Sequence, residues 1–205
     1  MPVIQKKQLN QFGQNDVQID ASNLVYNGHF KIIKYHFRHR MFAGGWSNTI
    51  ERELFERGNA VAMLPYDPVT DKVVLIEQIR VGAMISSESP WQLEIVAGVI
   101  DESETTELVA IREAQEEAGL PVKRLIFMTS YLSSSGGCSE RITLYLGLVD
   151  STTAEGLHGL PDEGEDIRVH VVPRKTAYQW VVDGKIENAA SVIALQWLAL
   201  NQRKW

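Results

Sequence analysis

A chain of 205 residues, 44% hydrophobic and 22% charged, has the make-up of an ordinary globular protein and needs no disulfide or metal staple to fold. Its net charge of −6 argues against a nucleic-acid partner but is compatible with small anionic substrates whose charge a bound cation offsets. The single cysteine, Cys138, rules out an intramolecular disulfide, MPVIQKKQLN lacks the apolar stretch of a leader peptide, and SVIALQWLAL is too short to span a bilayer; a soluble cytoplasmic protein is expected.

The first two dozen residues are polar and weakly patterned. KIIKYHFRHR then alternates, with Ile33, Tyr35 and Phe37 on one side and Lys34, His36 and Arg38 on the other. That is a half-buried strand, and its basic side reads as a solvated face. GGWSNTIERELFERG, glycine-rich and then charged, marks a boundary. NAVAMLPYDPVTDKVVLIEQIR reads as two strands around an Asp67–Pro68 turn. WQLEIVAGVI reads as one buried strand. The next stretch is helical, with Leu108, Ile111, Ala114 and Ala118 on the packing side and Glu113, Glu116 and Glu117 opposite. Gly119 is placed to stop it. VKRLIFMTSYL and ERITLYLGLVD read as strands paired around SSSGGCS, and DIRVHVVP as one more. TAYQWVVDG and NAASVIALQWLALNQRK read as closing amphipathic helices. Strands in the middle, with helices at one central point and at the end, predict a mixed sheet sandwiched by helices, an α/β fold.

Three glutamates within little more than a quarter turn of one helix repel one another by about 0.2–0.5 kcal/mol per pair. An all-oxygen cluster suits Mg²⁺ or Mn²⁺, and no Cys/His group has the spacing of a zinc site. A solvated acidic face has the same composition, so spacing must decide. From Gly98 to Leu120 the chain reads G-x5-E-x7-R-E-U-x-E-E-x-G-U, where U is aliphatic: Gly98, Glu104, Arg112, Glu113, Ala114, Glu116, Glu117, Gly119 and Leu120. So many fixed positions in a short span make chance agreement improbable.

This stretch resembles the Nudix box, the signature of the Nudix hydrolases. The resemblance implies an α/β/α sandwich with a mixed sheet, and hydrolysis of a nucleoside diphosphate linked to another moiety. It implies metal ligation by Glu113, Glu117, Glu116 and the Ala97 carbonyl, and a buried Glu104–Arg112 pair that orients loop and helix. LPYDPVTDKVVLIEQIR, PWQLEIVAG, SSGGCSER, EDIRVHVV and NAASVIALQWL, spread from about residue 26 to the end, are similar to the branch of that family that cleaves ADP-ribose. That similarity implies a Mg²⁺-dependent reaction (Mn²⁺ as an alternative ion) yielding AMP and ribose 5-phosphate. It makes Glu163 the general base and Glu165 a further metal ligand. It assigns Arg52, Arg57 and Arg80 to the diphosphate, and Ser134, Ser135, Gly136 and Glu140 to the terminal ribose and diphosphate. His29 and Phe30 match the adenine-stacking pair, with Trp46 as an alternative. It further implies a small antiparallel β domain over residues 1–56 that exchanges strands in a homodimer, and a catalytic domain over 57–205. Ser135 stands where members preferring ADP-ribose carry proline, which keeps GDP-mannose and ADP-glucose open as substrates. A module that binds ADP-ribose without cleaving it is the alternative, but such a module is free to lose box glutamates and this chain keeps them all. His158 and His170 flank the acidic loop but lack a partner at catalytic spacing and read as structural; Cys138 reads as inert.

Overall fold

The computed structural model describes residues 10–101 and 103–201, and internal contacts divide them into two units. The first unit holds the described residues up to Arg57 together with Ser134–Ser139. It is an antiparallel three-stranded sheet of β1 (Val17–Asn27), β2 (Lys31–His39) and β3 (Ile50–Glu56) in sequential order. β1 is an element the sequence pattern does not announce. Its pairing to β2 shifts register between Ile19 and Ala21 and again between Leu24 and Tyr26. Each bulge resets the inside–outside alternation, so the strand has no steady period of two to read. The basic side of β2 is interleaved with acids from its neighbours: Lys34 lies 3.1 Å from Glu51, and Arg38 lies 3.4 Å from Asp20. The segment Ser134–Ser139 joins this unit through Phe55 N donating to Gly137 O at 2.7 Å and Ser139 Oγ donating to Glu56 at 2.6 Å.

The second unit contains β4 (Ala60–Asp67), β5 (Lys72–Ile79), β6 (Trp91–Glu94), β7 (Val96–Val99), α1 (Thr106–Ala118), β8 (Arg124–Leu132), β9 (Arg141–Leu148), β10 (Leu157–His158), β11 (Ile167–Pro173), α2 (Arg174–Val182) and α3 (Ala189–Leu200). Its sheet runs β10-β11-β5-β4-β9-β8, with β6 added to β5 and β7 to β4. The β4–β9 pair is parallel and the other pairs are antiparallel, so the sheet is mixed. Alternation along β4 and β5 builds the layers. Ala62, Leu64, Val73 and Leu75 pack with Ala177, Ala194, Leu195 and Leu198 of α2 and α3. Val61, Met63, Val74 and Ile76 pack with Val109, Ala110, Ala114 and Ala118 of α1. Two apolar faces on one sheet need two helical covers, which gives the α/β/α sandwich.

WQLEIVAGVI is two strands rather than one. Glu94 is the last residue paired to β5 and Val96 the first paired to β4. Between them the Ile95 amide donates to Ser191 Oγ at 3.0 Å instead of to a strand. That side-chain bond satisfies the buried amide while the chain changes partners.

The β4–β5 turn anchors other elements as well as reversing the chain. Buried Asp67 accepts from the Ser151 hydroxyl at 2.8 Å and amide at 3.1 Å, and from the Val69 amide at 2.9 Å. Asp71, with φ of 54°, accepts from Arg174 Nε at 2.6 Å and Nη2 at 3.0 Å, fixing the start of α2. Burial alone would raise the Asp67 pKa, but the donors of Ser151, Thr70 and Val69 hold it well below the ordinary carboxylate range. A depressed folded-state pKa contributes stability above the unfolded value near about 4 and loses it as pH falls. Asp67→Asn is therefore expected to lower unfolding free energy by about 2 kcal/mol at neutral pH. In thermal melts against pH, that gap to the parent should narrow below about pH 4; a gap that is constant with pH would contradict the charge assignment.

Candidate active site

Helix α1 starts where Thr105 Oγ accepts from the Leu108 amide at 3.3 Å and ends at Gly119, whose φ of 62° lets the Leu120 amide close on Ala114 O at 3.0 Å. The packing side is Val109, Ala110, Ala114, Glu117 and Ala118. This corrects the face expected from the helical wheel. Leu108 and Ile111 are 59% and 44% exposed, whereas Glu117 is only 3% exposed. Residues 110, 114 and 117 follow one another along a single helix stripe. The alanines at 110 and 114 let that stripe approach the sheet closely, and Glu117 is carried under with it.

A carboxylate so placed must be met by donors. The Ala97 amide on β7 donates to Glu117 Oε2 at 2.9 Å, and Gln78 Nε2 on β5 donates to Oε1 at 3.3 Å. Burial nevertheless pushes Glu117 up to about 8; the Ala97 bond opposes the rise, and the Glu113 charge adds to it. Glu113, one turn earlier, is pushed up to about 7, again mainly by burial, with Arg112 opposing and Glu116 reinforcing. The space for Glu113 is made by Gly98, because a β-carbon there would strike the Glu113 carboxylate. The box glycine is thus required for room, at a position whose backbone conformation other residues also adopt.

Arg112 gathers the remaining acids. Its Nη1 lies 2.8 Å from Glu116 and 2.9 Å from Glu113, and its Nε lies 3.3 Å from Glu104. The expected Glu104–Arg112 pair is present but not buried, the side chains being 26% and 39% exposed. One arginine is thus shared among three carboxylates, and most of that cluster is half-buried rather than sealed from water.

The acidic loop after β10 is tied back to α1. Gly159 N donates to Glu116 O at 3.3 Å. Inside the loop, Glu165 Oε2 accepts from Leu160 N at 3.0 Å and Glu165 N donates to Leu160 O at 3.2 Å. The Glu165 charge acts on Glu113, Glu117 and Arg80, which brings these four groups into one electrostatic neighbourhood. Glu163 sits on the same loop and is exposed. Arg80, just past β5, directs Nε and Nη2 to Glu94 Oε2 at 2.9 and 2.8 Å. Glu140 is buried. His170 is engaged by Glu77 at 2.8 Å and His158 by Glu155 O at 2.8 Å, so both histidines have structural partners.

The other predicted positions lie in the first unit. His29 and Phe30 occupy the β1–β2 turn with ring centroids 4.5 Å apart. Phe30 packs edge-on to Phe55 at 5.0 Å, and the Arg57 guanidinium lies 5.4 Å from the Phe30 ring. Arg52 is exposed and donates to Glu51 O at 2.7 Å, and Ser134, Ser135 and Gly136 are exposed. The Arg40 guanidinium covers Trp46 at 4.4 Å. Gln78 and Glu94 are site residues that the sequence reading omits. A signal was available for both: each is a polar residue in register with the inward-facing Ile76, on its own strand or across from it.

The donors gathered at α1 are all oxygen, and two of them are carboxylates lifted toward neutrality by burial and by the charge of neighbouring carboxylates. A hard divalent cation fits that set, since it would restore both to the ionised form. Among the described residues, no three acidic, histidine or cysteine side chains already converge at ligand distance; Glu113 and Glu116 are turned onto Arg112.

A family model described as NUDIX domain matches residues 56–198. The chain is 60% identical over 192 residues to the ADP-ribose pyrophosphatase of Escherichia coli strain K12, covering 94% of this chain and 92% of that one. It is 47% identical over 208 residues to the ADP-ribose pyrophosphatase of Haemophilus influenzae, covering 98% and 96%. It is 34% identical over 151 residues to the GDP-mannose pyrophosphatase of Cronobacter sakazakii, covering 73% and 78%. A crystal structure of an ADP compounds hydrolase superposes with a TM-score of 0.68 at 22% identity over 92% of this chain and 97% of that one, which shows the shared fold.

The room made by Gly98 is testable. Gly98→Ala is expected to leave far-UV circular dichroism unchanged but to displace the Glu113 carboxylate. A shift of about 1 Å at a reacting centre costs on the order of 10²-fold in turnover. Parental turnover in that variant would mean that the close approach is incidental.

Proposed function

The chain belongs to the Nudix family of hydrolases, and from that premise we propose that it cleaves the diphosphate of ADP-ribose to AMP and ribose 5-phosphate, with Mg²⁺ as the ion. The observation that carries this reading is the extent of the likeness. Identity to the Escherichia coli ADP-ribose pyrophosphatase takes in 94% of the chain, whereas identity to the GDP-mannose pyrophosphatase of Cronobacter sakazakii takes in 73%.

Glu113, Glu116, Glu117, Glu165 and the Ala97 carbonyl are the groups that would hold the metal. A bound Mg²⁺ offsets the charge of the diphosphate and lowers the pKa of a bound water. Arg112 restrains Glu113 and Glu116, while Gln78 and the Ala97 amide orient Glu117. Glu163, exposed on the acidic loop, accepts the proton of the attacking water. Arg52, Arg57 and Arg80 hold diphosphate oxygens through planar guanidinium edges. His29 and Phe30 receive the adenine, and Ser134, Ser135, Gly136 and Glu140 meet the terminal ribose and the phosphate beside it.

In this reading residues 1–56 form the dimerisation domain and residues 57–205 the catalytic domain, and Arg52 acts across the interface of a homodimer. The apolar side chains that β1 exposes, including Ile19, Leu24 and Tyr26, support a partner there. A monomeric sedimentation mass with full activity would refute it. Among the described residues no helix is long and apolar enough to cross a membrane, and the lone cysteine supports a reducing, cytoplasmic setting.

The substrate assignment is tested by Mg²⁺-dependent product release from ADP-ribose, ADP-glucose, GDP-mannose and NADH in parallel. ADP-ribose is expected to give the highest kcat/KM, with AMP as product. Because Ser135 replaces the proline typical of ADP-ribose-preferring relatives, a faster GDP-mannose reaction is the specific result that would move the assignment to another sugar nucleotide. Tight ADP-ribose binding with no turnover of any compound would support a sensor instead. Glu163→Gln is expected to lower kcat by about 10²–10⁴-fold with little change in substrate affinity. Loss of affinity at preserved kcat would remove Glu163 from the role of base.

A further inference from the structure

We propose that Glu94 and Asn188 are positioning residues that pre-set the Arg80 guanidinium for the substrate diphosphate and couple that grip to the start of α3; the proposal rests on the reading of Arg80 as a diphosphate contact. The Glu94 side chain is 5% exposed, while that of Arg80 is 43% exposed. A buried carboxylate is costly to leave without donors on both oxygens, and Glu94 has them. Its Oε2 accepts from Arg80 Nε at 2.9 Å and Nη2 at 2.8 Å. Its Oε1 accepts from Asn188 Nδ2 at 3.0 Å.

Asn188 is itself fixed at its other end. Its Oδ1 accepts from the Ser191 amide at 3.2 Å, capping α3. Ser191 Oγ in turn accepts from the Ile95 amide at 3.0 Å, next to Glu94 in the chain. The network is therefore a closed loop: Arg80, Glu94, Asn188, Ser191 and back to Ile95. Capping α3 requires only the Asn188 oxygen, so the bond from Asn188 Nδ2 to Glu94 does something the cap does not need.

That something is restraint of Arg80. An arginine carries large rotamer freedom, and a ligand that must order it loses affinity. Here one edge of the guanidinium is tied to a buried, immobile carboxylate. The remaining N–H groups are left to a ligand, on a cation that also feels the charges of Glu117 and Glu165. Arg80 is thus held between an internal anchor and the carboxylates assigned to the metal. A grip that acts on substrate in ground and transition states alike affects KM and leaves kcat alone.

The test is a set of variants assayed on ADP-ribose. Asn188→Ser keeps a good helix cap but removes the donor to Glu94. It is expected to melt within a few degrees of the parent and to raise KM about threefold at unchanged kcat. Glu94→Gln is expected to raise KM about tenfold. Combined with Arg80→Ala, either change should add nothing further to KM, because each acts only through that arginine. Multiplicative losses in the Arg80→Ala background, or a fall in kcat without a change in KM, would overturn the positioning role while leaving Arg80 as a substrate contact. An Arg80→Ala enzyme with parental KM and kcat would instead remove the substrate reading of Arg80, and this proposal with it. If Glu94→Gln does not fold, Asn188→Ser decides alone, and an unchanged KM in that variant counts against the proposal.

Discussion

Burial of two neighbouring carboxylates beside a sheet is the constraint on which the rest of this molecule turns. Glu113 and Glu117 lie one turn apart on α1, pressed toward Gly98 and Ala97 of β7. Water is largely excluded there, and burial raises both pKa values, with the Glu113 charge adding to the rise at Glu117. An apolar or paired arrangement would be more stable. The chain instead surrounds these groups with partial compensation: one backbone amide, one glutamine amide and one arginine shared with two other acids. What remains is a pair of carboxyl groups held near neutrality, whose ionised form a hard divalent cation would restore. A destabilised site inside a well-ordered scaffold is common where function requires it.

The scaffold is correspondingly rigid around that site. β4 and β5 bury both faces, one under α1 and the other under α2 and α3, so the strands that carry Gln78 and support Ala97 have little freedom to shift. The turn joining them is clamped by Asp67 to Ser151 and by Asp71 to Arg174. The acidic loop is fastened to the end of α1 through Gly159 and Glu116 and is folded on itself by Glu165. Segments that carry the candidate metal donors are thereby held on one structural frame. Glu163, like Asp162 and Asp166 beside it, is exposed on that loop.

Much of this was legible from residue order. Alternation marks β2, short apolar runs mark β4, β5, β8, β9 and β11, and fixed spacing marks the box helix. What the sequence concealed has physical causes. β1 is broken twice by bulges, so its alternation is erased. WQLEIVAGVI reads as one run because Ile95 is as apolar as its neighbours, and only a hydroxyl far along the chain shows that the ladder changes partner there. The buried side of α1 departs from the helical wheel because Leu108 and Ile111 outweigh alanines in hydrophobicity. Close approach to a sheet favours the alanines, and with them comes Glu117. Gln78 and Glu94 look like ordinary polar residues in sequence, although each stands in a strand at an inward-facing position.

The central claim, that Glu113 and Glu117 hold a divalent cation, is tested most directly by calorimetric titration of Mg²⁺ or Mn²⁺ into the substrate-free protein. The titration is run near pH 7 in two buffers of different ionisation enthalpy. Carboxylates lifted to about 7 and about 8 carry protons at that pH, and a cation must displace them. Binding accompanied by proton release, with both lost in Glu117→Gln, is the predicted result. Equal binding in parent and Glu117→Gln, or binding with no proton released, would contradict it.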